Sequence, residues 1–504
     1  MKKTLSVCFH VLATIWVLVL FLYALKLTGI NEFFYSEWIT LRREPVILNL
    51  FRFFGGIVVA LILGIIYGTL REKVPQWIFP VAACGTMMVL SSLWVLMAGT
   101  IPEADCLQVK AYADLFVSGD TDFFGKGQYL TANDQNLGIF TVLVWLTRLF
   151  RSNAILVFQL LMAQLVPLGV YWGYRIVGIL ADQRSQFYYL ILMLVCFPLY
   201  IYVPYVYGDI PAVVFLMGAV LYVYECLEKM TVFRGIMAAL FMGIAVVIKK
   251  NSLIILCAVV IVLLIRCLEK KEKRLINLGI LVSLCAATWL CGFLVHKAYP
   301  IAEDAKPAPS LTYIYMGLSD EDGHPGWFNG APIVLYGKND FDVQKTNEEA
   351  KLMIQFRWKE LTADPAVFRD FYMRKLTMQW EVPMFQALPM NRAYQSNAND
   401  FVKSVYSGGA ATFMETFSKW CQLLVYGTIL LYLVVSIAKR KIHNIEWYLF
   451  LIAAFGGFLF SILWEAKPRY VFPYFLMMIP YAAICLGKMS GFVEGCLQRI
   501  KNKQ

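Results

Sequence analysis

Long uninterrupted apolar runs constrain this sequence more than any other feature. A helix needs about 20 consecutive apolar residues to span a bilayer. The chain is 60% apolar and 16% charged, whereas a soluble domain averages about 45–50% and about 25%. These values exclude a cytosolic enzyme, a disordered chain and a secreted disulfide scaffold, and they predict an all-α polytopic membrane protein. The candidate spans are 5–27, 50–70, 77–99, 153–176, 187–204, 211–227, 232–248, 252–268, 275–296, 420–438, 445–464 and 470–487.

The loop cations predict the orientation of these twelve spans. Short cytoplasmic loops are rich in Lys and Arg. With both termini inside, most basic clusters face the cytoplasm. If the run 137–150 also crossed the membrane, every later loop would change sides, and the densest basic clusters would face outward. We therefore predict that 137–150 is a helix at the outer membrane surface, with Trp145 and Arg148 near the headgroups. The first run, 5–27, is long for a signal peptide and is interpreted as a retained signal anchor.

This topology predicts a multi-pass protein of the cell membrane with its chemistry on the outer face. The large outer segment shows helix-start signals, notably at Asn347 and at Asp364-Pro365. We therefore expect the outer part to be mostly helical. The predicted regions are 1–99 (spans one to three), 100–152 (first outer loop with its surface helix), 153–296 (spans four to nine), 297–419 (large outer segment) and 420–504 (the last three spans and a cytoplasmic tail).

Charge, cysteine and histidine usage exclude several partners. The net charge of +11 comes from clusters between apolar runs, which is typical of membrane proteins and does not predict binding to nucleic acid. Most of the 12 cysteines lie inside apolar runs, so no disulfide framework is indicated. The four histidines show no paired ligand spacing. We therefore predict no metal site and no cofactor, although outer carboxylates leave a divalent ion possible.

Carboxylates occur at two places on the predicted outer rim. Glu103 and Asp105 follow the third span, where a carboxylate held near the headgroups can act as a general base on a hydroxyl. The alternative is a pair of solvated loop acids. Asp209 precedes the sixth span and is also a good helix N-cap, a role that is compatible with facing a cleft.

Cations on the same rim depart from the positive-inside pattern. Lys249 and Lys250 lie between spans seven and eight, and Arg469 lies at the outer start of the last span. A lipid phosphate would explain all three, because ammonium groups bind phosphate and Arg grips it with two parallel hydrogen bonds. The alternatives are snorkelling of the lysines to ordinary headgroups and an ion pair between Arg469 and Glu465. Acids and cations from four loops therefore predict a phosphate-bearing donor lipid and a hydroxyl acceptor.

In this order along the chain, these residues resemble the GT-C superfamily of polytopic glycosyltransferases, in particular its family 39-like cell-surface sugar transferases of Gram-positive bacteria. Most of the chain takes part, although no single motif is specific. The chain departs from the usual pattern of this superfamily in two ways. Many relatives have adjacent acids in the first outer loop, whereas here Ala104 separates them. Relatives usually have one span before that loop, whereas here three spans precede it. The segments that carry the resemblance are Asp105 to Asp120, Tyr129 to Gly138, Pro204 to Asp209, Lys249 to Asn251 and Arg469 to Pro473.

The resemblance implies a polyprenyl-phosphate sugar donor, a hydroxyl-bearing acceptor at the cell surface and a single inverting displacement. Asp105 or Glu103 would take the acceptor proton, and Asp209 would orient the acceptor or a lysine. Lys249, Lys250 and Arg469 would bind the leaving phosphate. The large outer segment would bind the acceptor. Its aromatic residues would stack on sugar rings or, alternatively, pack in the core. The candidate residues of this segment are Trp327, Phe328, Asn329, Trp380 and Tyr394.

Three other functions fit parts of this pattern. A lipid-linked oligosaccharide flippase would also have about twelve spans, but it needs charges that line a central cavity. A polysaccharide polymerase or ligase would also work on the outer face, with a diphosphate lipid donor. A non-enzymatic structural membrane protein would not need cations on the outer rim.

Overall fold

The computed structural model describes residues 4–31, 37–391 and 398–501. Ten helical segments in these ranges are long and apolar enough to cross a membrane, and the helix Val232–Ile248 is apolar but shorter. The only strands in the described part of the chain form two short hairpins. The predicted class, an all-α polytopic membrane protein, is confirmed.

The helices of the first 300 residues form most of the membrane part. They are α1 (Thr4–Lys26), α2 (Val46–Leu70), α3 (Ile78–Ala98), α4 (Ala104–Ser118), α5 (Tyr129–Ala132), α6 (Leu137–Phe150), α7 (Ala154–Leu180), α8 (Gln183–Leu194), α9 (Phe197–Tyr202), α10 (Asp209–Glu228), α11 (Val232–Ile248), α12 (Leu253–Glu269) and α13 (Arg274–Lys297).

The second half contains a helical segment between membrane helices, followed by three long helices. The former holds α14 (Ser310–Leu318), α15 (Ala331–Lys338), α16 (Val343–Ala363), α17 (Pro365–Trp380), α18 (Ala387–Met390) and α19 (Asp400–Ser407). The latter are α20 (Gly409–Ala438), α21 (Leu449–Leu463) and α22 (Pro468–Lys501). The hairpins pair β1 (Leu27–Asn31) with β2 (Ile39–Arg43) and β3 (Asp320–Glu321) with β4 (His324–Pro325).

Eleven of the twelve predicted spans correspond to single helices, and one does not. The predicted span 187–204 is divided between α8 and α9, with a break at residues 195–196. Pro198, near the start of α9, explains the break, because proline disfavours a helical residue before it and has no N–H to continue the ladder. Where α8 and α9 lie relative to the bilayer stays a prediction.

The predicted surface segment 137–150 is a helix, α6, separated from α7 by a turn at 151–153. One face of α6 packs against α4 and α7. Trp145 is 59% exposed, and the guanidinium of Arg148 lies 5.8 Å from its ring centroid. This arrangement leaves an amphipathic residue pair on the outside of the helix. Its position at the membrane surface stays a prediction.

Local capping explains where the helices of the large segment begin. The carboxylate of Asp364 accepts a hydrogen bond from the backbone N–H of Ala366 at 2.7 Å, so the predicted cap is present. The helix expected after Asn347 begins earlier, at Val343, because Asp342 accepts from two backbone N–H groups. A short polar N-cap thus overrides the apolar pattern as the start signal.

The β1–β2 hairpin, which the sequence analysis did not predict, packs on the end of α17. The backbone N–H of Gly29 donates to the carbonyl of Glu381 at 2.8 Å. A Cβ on Gly29 would lie 2.6 Å from the Val382 side chain, so the contact requires glycine. This packing brings Glu37 and Trp38 beside the other loops at one end of the helix bundle.

Candidate active site

A cavity of about 820 Å³ lies where the loops at one end of the bundle meet. Its wall includes the start of α4, the loop before α6, the α11–α12 turn and the start of α22. The predicted residues in its lining are Glu103, Asp105, Lys249, Lys250, Arg469, Trp327 and Phe328. Three of the four predicted groups of charged residues therefore converge in the lining, and the fourth, Asp209, is not in the lining but contacts Lys249.

Two glycines permit this convergence. A Cβ on Gly138 would lie 2.0 Å from the carbonyl oxygen of Val247, and a Cβ on Gly208 would lie 2.5 Å from that of Ile248. No side chain fits between such groups. The first turn of α6 and the residue before α10 therefore approach the α11–α12 turn directly, and this approach brings acids next to the two lysines.

The acids of the first loop lie at the start of α4. Glu103 is the residue before the helix, and Asp105 lies exposed in its first turn. Ala104 between them has φ 47°, a left-handed conformation that costs a residue with a side chain about 1–2 kcal/mol. Strained backbone is often found at functional sites, where it fixes the direction of neighbouring side chains.

A chain of polar contacts runs from Asp105 into the bundle. Burial, and then the nearby Asp105 carboxylate, raise the pKa of Tyr129. The amide of Asn136 donates to the Tyr129 hydroxyl at 2.9 Å and accepts from the hydroxyl of Tyr207 at 2.7 Å. The ammonium of Lys249 lies 4.5 Å from the Tyr207 ring centroid. The candidate base and the cations therefore share one connected wall.

Each of the two lysines has its own carboxylate. Lys249 Nζ lies 3.0 Å from Asp209, which is 7% exposed and lies beneath the cavity wall. Burial lowers the pKa of Lys249, and the Asp209 charge opposes this shift. Lys250 Nζ lies 2.7 Å from Asp134 on a more exposed part of the rim. Both ammonium charges are thus neutralised in this structure.

Arg469 is different, because tyrosines surround it. Its guanidinium donates to the hydroxyl of Tyr205 and lies 5.2–5.9 Å from the ring centroids of Tyr205, Tyr207 and Tyr470. Its Nε–H is buried without a hydrogen-bond partner among the described residues. Within those residues no ion pair to Arg469 forms at 4 Å or less. The alternative pairing with Glu465 does not occur, since Glu465 accepts from Tyr470 at 2.9 Å and lies 3.7 Å from Lys467.

Of the five candidate acceptor residues, Trp327 and Phe328 line the cavity, whereas Asn329 and Trp380 do not. Trp327 is in the lining but only 3% exposed. Asn329 instead donates to Glu321 at 3.2 Å and accepts from the backbone of Ala331. Trp380 is 1% exposed inside the bundle, edge-to-face with Trp16 at 5.8 Å, so no ring face is left for a sugar. Tyr394 lies outside the described residues.

The sequence analysis missed several cavity residues. Glu37 reaches the site through the unpredicted hairpin and binds Lys467 at 2.9 Å. Asp134 lies in the segment Tyr129 to Gly138 that carries the resemblance, but it was not predicted as a site residue. Tyrosine is frequent in this chain, so composition alone could not single out the tyrosines of the site, which are Tyr129, Tyr205, Tyr207, Tyr313 and Tyr470.

The cavity also has an apolar side at the ends of membrane helices. Leu253 and Ile254 begin α12, and Phe460 lies near the end of α21. Leu253 is 42% exposed. The cavity therefore has one wall that carries both acids and cations and another that is apolar. No group of three His, Cys, Asp or Glu side chains in the described ranges is placed to hold a metal ion.

Apolar helices with a charged cavity at one end define an all-α polytopic integral membrane protein. The chain belongs to the family described as conserved hypothetical integral membrane protein, whose model matches residues 10–328. No curated protein matches the sequence.

Among solved structures, the chain is similar to the archaeal oligosaccharyltransferase AglB from Archaeoglobus fulgidus, solved with an inhibitory peptide and a dolichol-phosphate. The identity is 12% and the TM-score 0.44, over 84% of this chain and 51% of that one. For the apo form of the Archaeoglobus fulgidus oligosaccharyltransferase, the identity is 11% and the TM-score 0.44, over 84% and 52%. The chain spans about half the length of these proteins.

Proposed function

We propose that this protein is a membrane glycosyltransferase of the GT-C type. It transfers a sugar from a polyprenyl-phosphate donor to a hydroxyl of a cell-surface polymer, lipid or protein on the outer face of the cell membrane. The main support is Arg469, a buried cation with which no carboxylate among the described residues pairs, in the same cavity as the exposed carboxylate of Asp105. The cavity thus combines a site for a leaving phosphate with a proton acceptor.

Arg469 is the principal phosphate ligand in this proposal. A buried N–H without a partner costs about 1–3 kcal/mol, and an anionic oxygen would remove that cost. The tyrosines around Arg469 hold the guanidinium without neutralising it. Lys249 and Lys250 have a secondary role, because Asp209 and Asp134 already compensate their charges. Asp209 acts as a positioning residue for Lys249.

Asp105 is the general base of the proposed reaction. Its carboxylate takes the proton of the acceptor hydroxyl, whose oxygen attacks the anomeric carbon of the sugar. A new carbon–oxygen bond forms, and the bond to the phosphate oxygen breaks. Polyprenyl phosphate leaves with that electron pair, and Arg469 stabilises its charge. The sugar is transferred with inversion, and no external oxidant or reductant takes part.

The apolar wall supports a lipid donor. Leu253, Ile254 and Phe460 lie at the ends of helices that are long and apolar enough to span a membrane. A prenyl chain that leaves the cavity along them stays in contact with apolar side chains and with lipid. On the other side, Trp327 and the exposed Phe328 form the proposed acceptor side.

The test is a turnover assay with purified full-length protein and radiolabelled polyprenyl-phosphate sugar. We expect release of free polyprenyl phosphate that depends on an added hydroxyl acceptor. A flippase would move the labelled lipid across a vesicle membrane without releasing polyprenyl phosphate. A polymerase or ligase would react only with a diphosphate-linked donor. Either of these two results would refute the proposal.

A further inference from the structure

A second cavity, of about 840 Å³, lies at the opposite end of the helix bundle. Its wall is formed by the ends of α2 and α7, the start of α8 and the middle of α22. Lys488 in this wall and Arg469 in the first cavity are 19 residues apart on α22, or about 28 Å at 1.5 Å per residue. That separation is close to the thickness of a bilayer core, about 30 Å.

The side chains that line this cavity are mainly cationic. Arg71, Arg175, Arg184 and Lys488 line it, and Asp182 is the one carboxylate in the lining within the described residues. Asp182 is fully engaged, because it caps α8 through Ser185 and binds Lys488 at 2.8 Å. The lining therefore carries an excess of positive charge.

Shared carboxylates outside the lining do not cancel this excess. Glu494 pairs with both Arg71, at 3.1 Å, and Arg184. Glu225 pairs with both Arg175, at 3.0 Å, and Arg234, at 3.1 Å. One carboxylate between two guanidinium groups leaves one positive charge uncompensated in each case. The side chains of Arg71 and Arg175 are 39% and 47% exposed, so they can reach a ligand in the cavity.

Glycines hold the helices around this cavity close together. A Cβ on Gly178 of α7 would lie 2.4 Å from the Gln186 side chain, and a Cβ on Gly487 of α22 would lie 2.5 Å from the Ser185 hydroxyl, so α8 packs directly against both helices. Tyr67 and Ile179 add apolar surface next to the membrane helices. Basic pockets between membrane helices are suited to anionic lipid head groups, since the phosphate meets the cations while the chains stay in lipid.

We propose that this second cavity binds the phosphate of an anionic lipid head group. Arg71 and Arg175 contact the phosphate directly, and Arg184 is held in place by Glu494 as part of the floor. The site is separate from the proposed donor site and does not depend on the glycosyltransferase proposal. Its ligand would stabilise the bundle by joining α2, α7 and α22.

The experiment compares lipid retention and thermal stability of the full chain in nanodiscs. The discs contain phosphatidylcholine alone or with phosphatidylglycerol. We expect the wild type to retain phosphatidylglycerol in native mass spectrometry and to melt at a higher temperature with it. The Arg71→Gln/Arg175→Gln double variant should bind it at least about tenfold more weakly, because two charge-assisted hydrogen bonds are lost. Lys439→Gln/Lys441→Gln, which removes two exposed lysines outside the cavity, is the matched control and should bind like the wild type.

A separate arm adds inorganic phosphate to protein in phosphatidylcholine discs. If phosphate alone raises the melting temperature as much as phosphatidylglycerol does, and the double variant loses this effect, the anion site is supported with a soluble phosphate compound as its ligand. Equal retention of both lipids by the wild type would overturn the proposal. An equal loss of binding in the control variant would also overturn it, because the effect would then reflect overall charge.

Discussion

Lys250 and Asp134 are 116 residues apart in the chain, yet the Lys250 ammonium lies 2.7 Å from both carboxylate oxygens of Asp134. This pair sits at the rim of the proposed active site, with side chains that are 50% and 28% exposed. An ion pair this exposed stabilises a fold by at most about 1 kcal/mol. The pair matters more for the binding of an anionic donor than for the stability of the fold, because Asp134 cancels the positive charge by which Lys250 would attract the donor.

Replacement of this acid should therefore strengthen donor binding. In Asp134→Asn, Lys250 keeps its charge without a partner, and we expect polyprenyl phosphate to bind up to about fivefold more tightly at low salt. Titration of the purified protein at low and high salt measures the effect. Asp114→Asn, which removes the partner of Lys110 on α4, is the control, because that pair does not line the cavity. Weaker binding by Asp134→Asn would show that Asp134 itself contacts the donor.

Asp105 and Glu103 can be separated by amide variants. Asp105→Asn should lower turnover by about 10²–10⁴-fold, the usual cost of losing a positioned general base. Donor binding should not change, because Asp105 acts on the acceptor. Glu103→Gln is the matched variant and should retain most of the turnover. The assay is release of polyprenyl phosphate, and the reverse order of effects would assign the base to Glu103.

Arg469→Gln should weaken donor binding at least about tenfold, because a charged hydrogen bond to phosphate contributes about 1.5–3 kcal/mol. Arg469→Lys keeps the charge but loses the planar fork, so an intermediate loss is expected. Lys467→Gln serves as the control, since Glu37 and Glu465 already neutralise that lysine. Isothermal titration with polyprenyl phosphate measures affinity, and circular dichroism checks folding. Equal losses in Lys467→Gln and Arg469→Gln would contradict a special role for the arginine.

Gly138→Ala should damage the site without altering any charged residue. The added methyl would lie 2.0 Å from the Val247 carbonyl oxygen, so α6 must move away from the α11–α12 turn. We expect a lower melting temperature and weaker donor binding. Gly279→Ala on α13 is the control, because nothing lies within 4 Å of its added Cβ. Wild-type binding by Gly138→Ala would mean that this close approach is not needed.

Lys375 on α17 should make stability depend on pH. It is 0% exposed, and its ammonium donates to the carbonyls of Gly317 and Ile462. Burial lowers its pKa from 10.5 to about 7. Between these values the unfolded chain binds a proton that the folded chain does not, so the free energy of unfolding rises with pH. Below pH 7 both states are protonated, and this contribution is constant.

The measurement compares melting temperatures of wild type and Lys375→Met between pH 7 and pH 10. We expect the wild type to gain stability relative to the variant as pH rises, because only the wild type releases this proton. Lys351→Met, an exposed lysine on α16, should give the same difference from the wild type at every pH. A difference for Lys375→Met that does not change with pH would contradict the pKa shift.

The sequence predicted well those features that depend on neighbouring residues, and poorly those that depend on packing between parts of the chain that are far apart in sequence. The Asp364 cap was predicted correctly, because a cap depends on the residue and the next turn of chain. The break between α8 and α9 was missed, since the apolar run continues through it and hydropathy does not detect Pro198. The β1–β2 hairpin was missed because its strands are only five residues long and are fixed by packing on α17.

The same distinction applies to the site. Lys249, Lys250 and Arg469 were recognisable as cations at unusual places in the sequence, and the structure brings them to one cavity. Asp209, the partner of Lys249, was predicted as a site residue, but the partners of Lys250 and Arg469 were not, because Asp134 and Tyr205 resemble many other acids and tyrosines until the chain is folded. For Trp380 the sequence left two roles open, stacking on a sugar or core packing, and the structure shows core packing, since the side chain is buried.

The sequence by itself determined that this chain forms apolar helices long enough to span a bilayer, with charged loops between them. It could do so because span length and charge are properties of short stretches of chain. Only the tertiary structure decided that Lys249 and Lys250 pair with Asp209 and Asp134, whereas Arg469 pairs with no carboxylate in the part of the chain that the structure describes. That difference depends on which side chains meet across the bundle, and it is set by close backbone contacts such as those at Gly138 and Gly208.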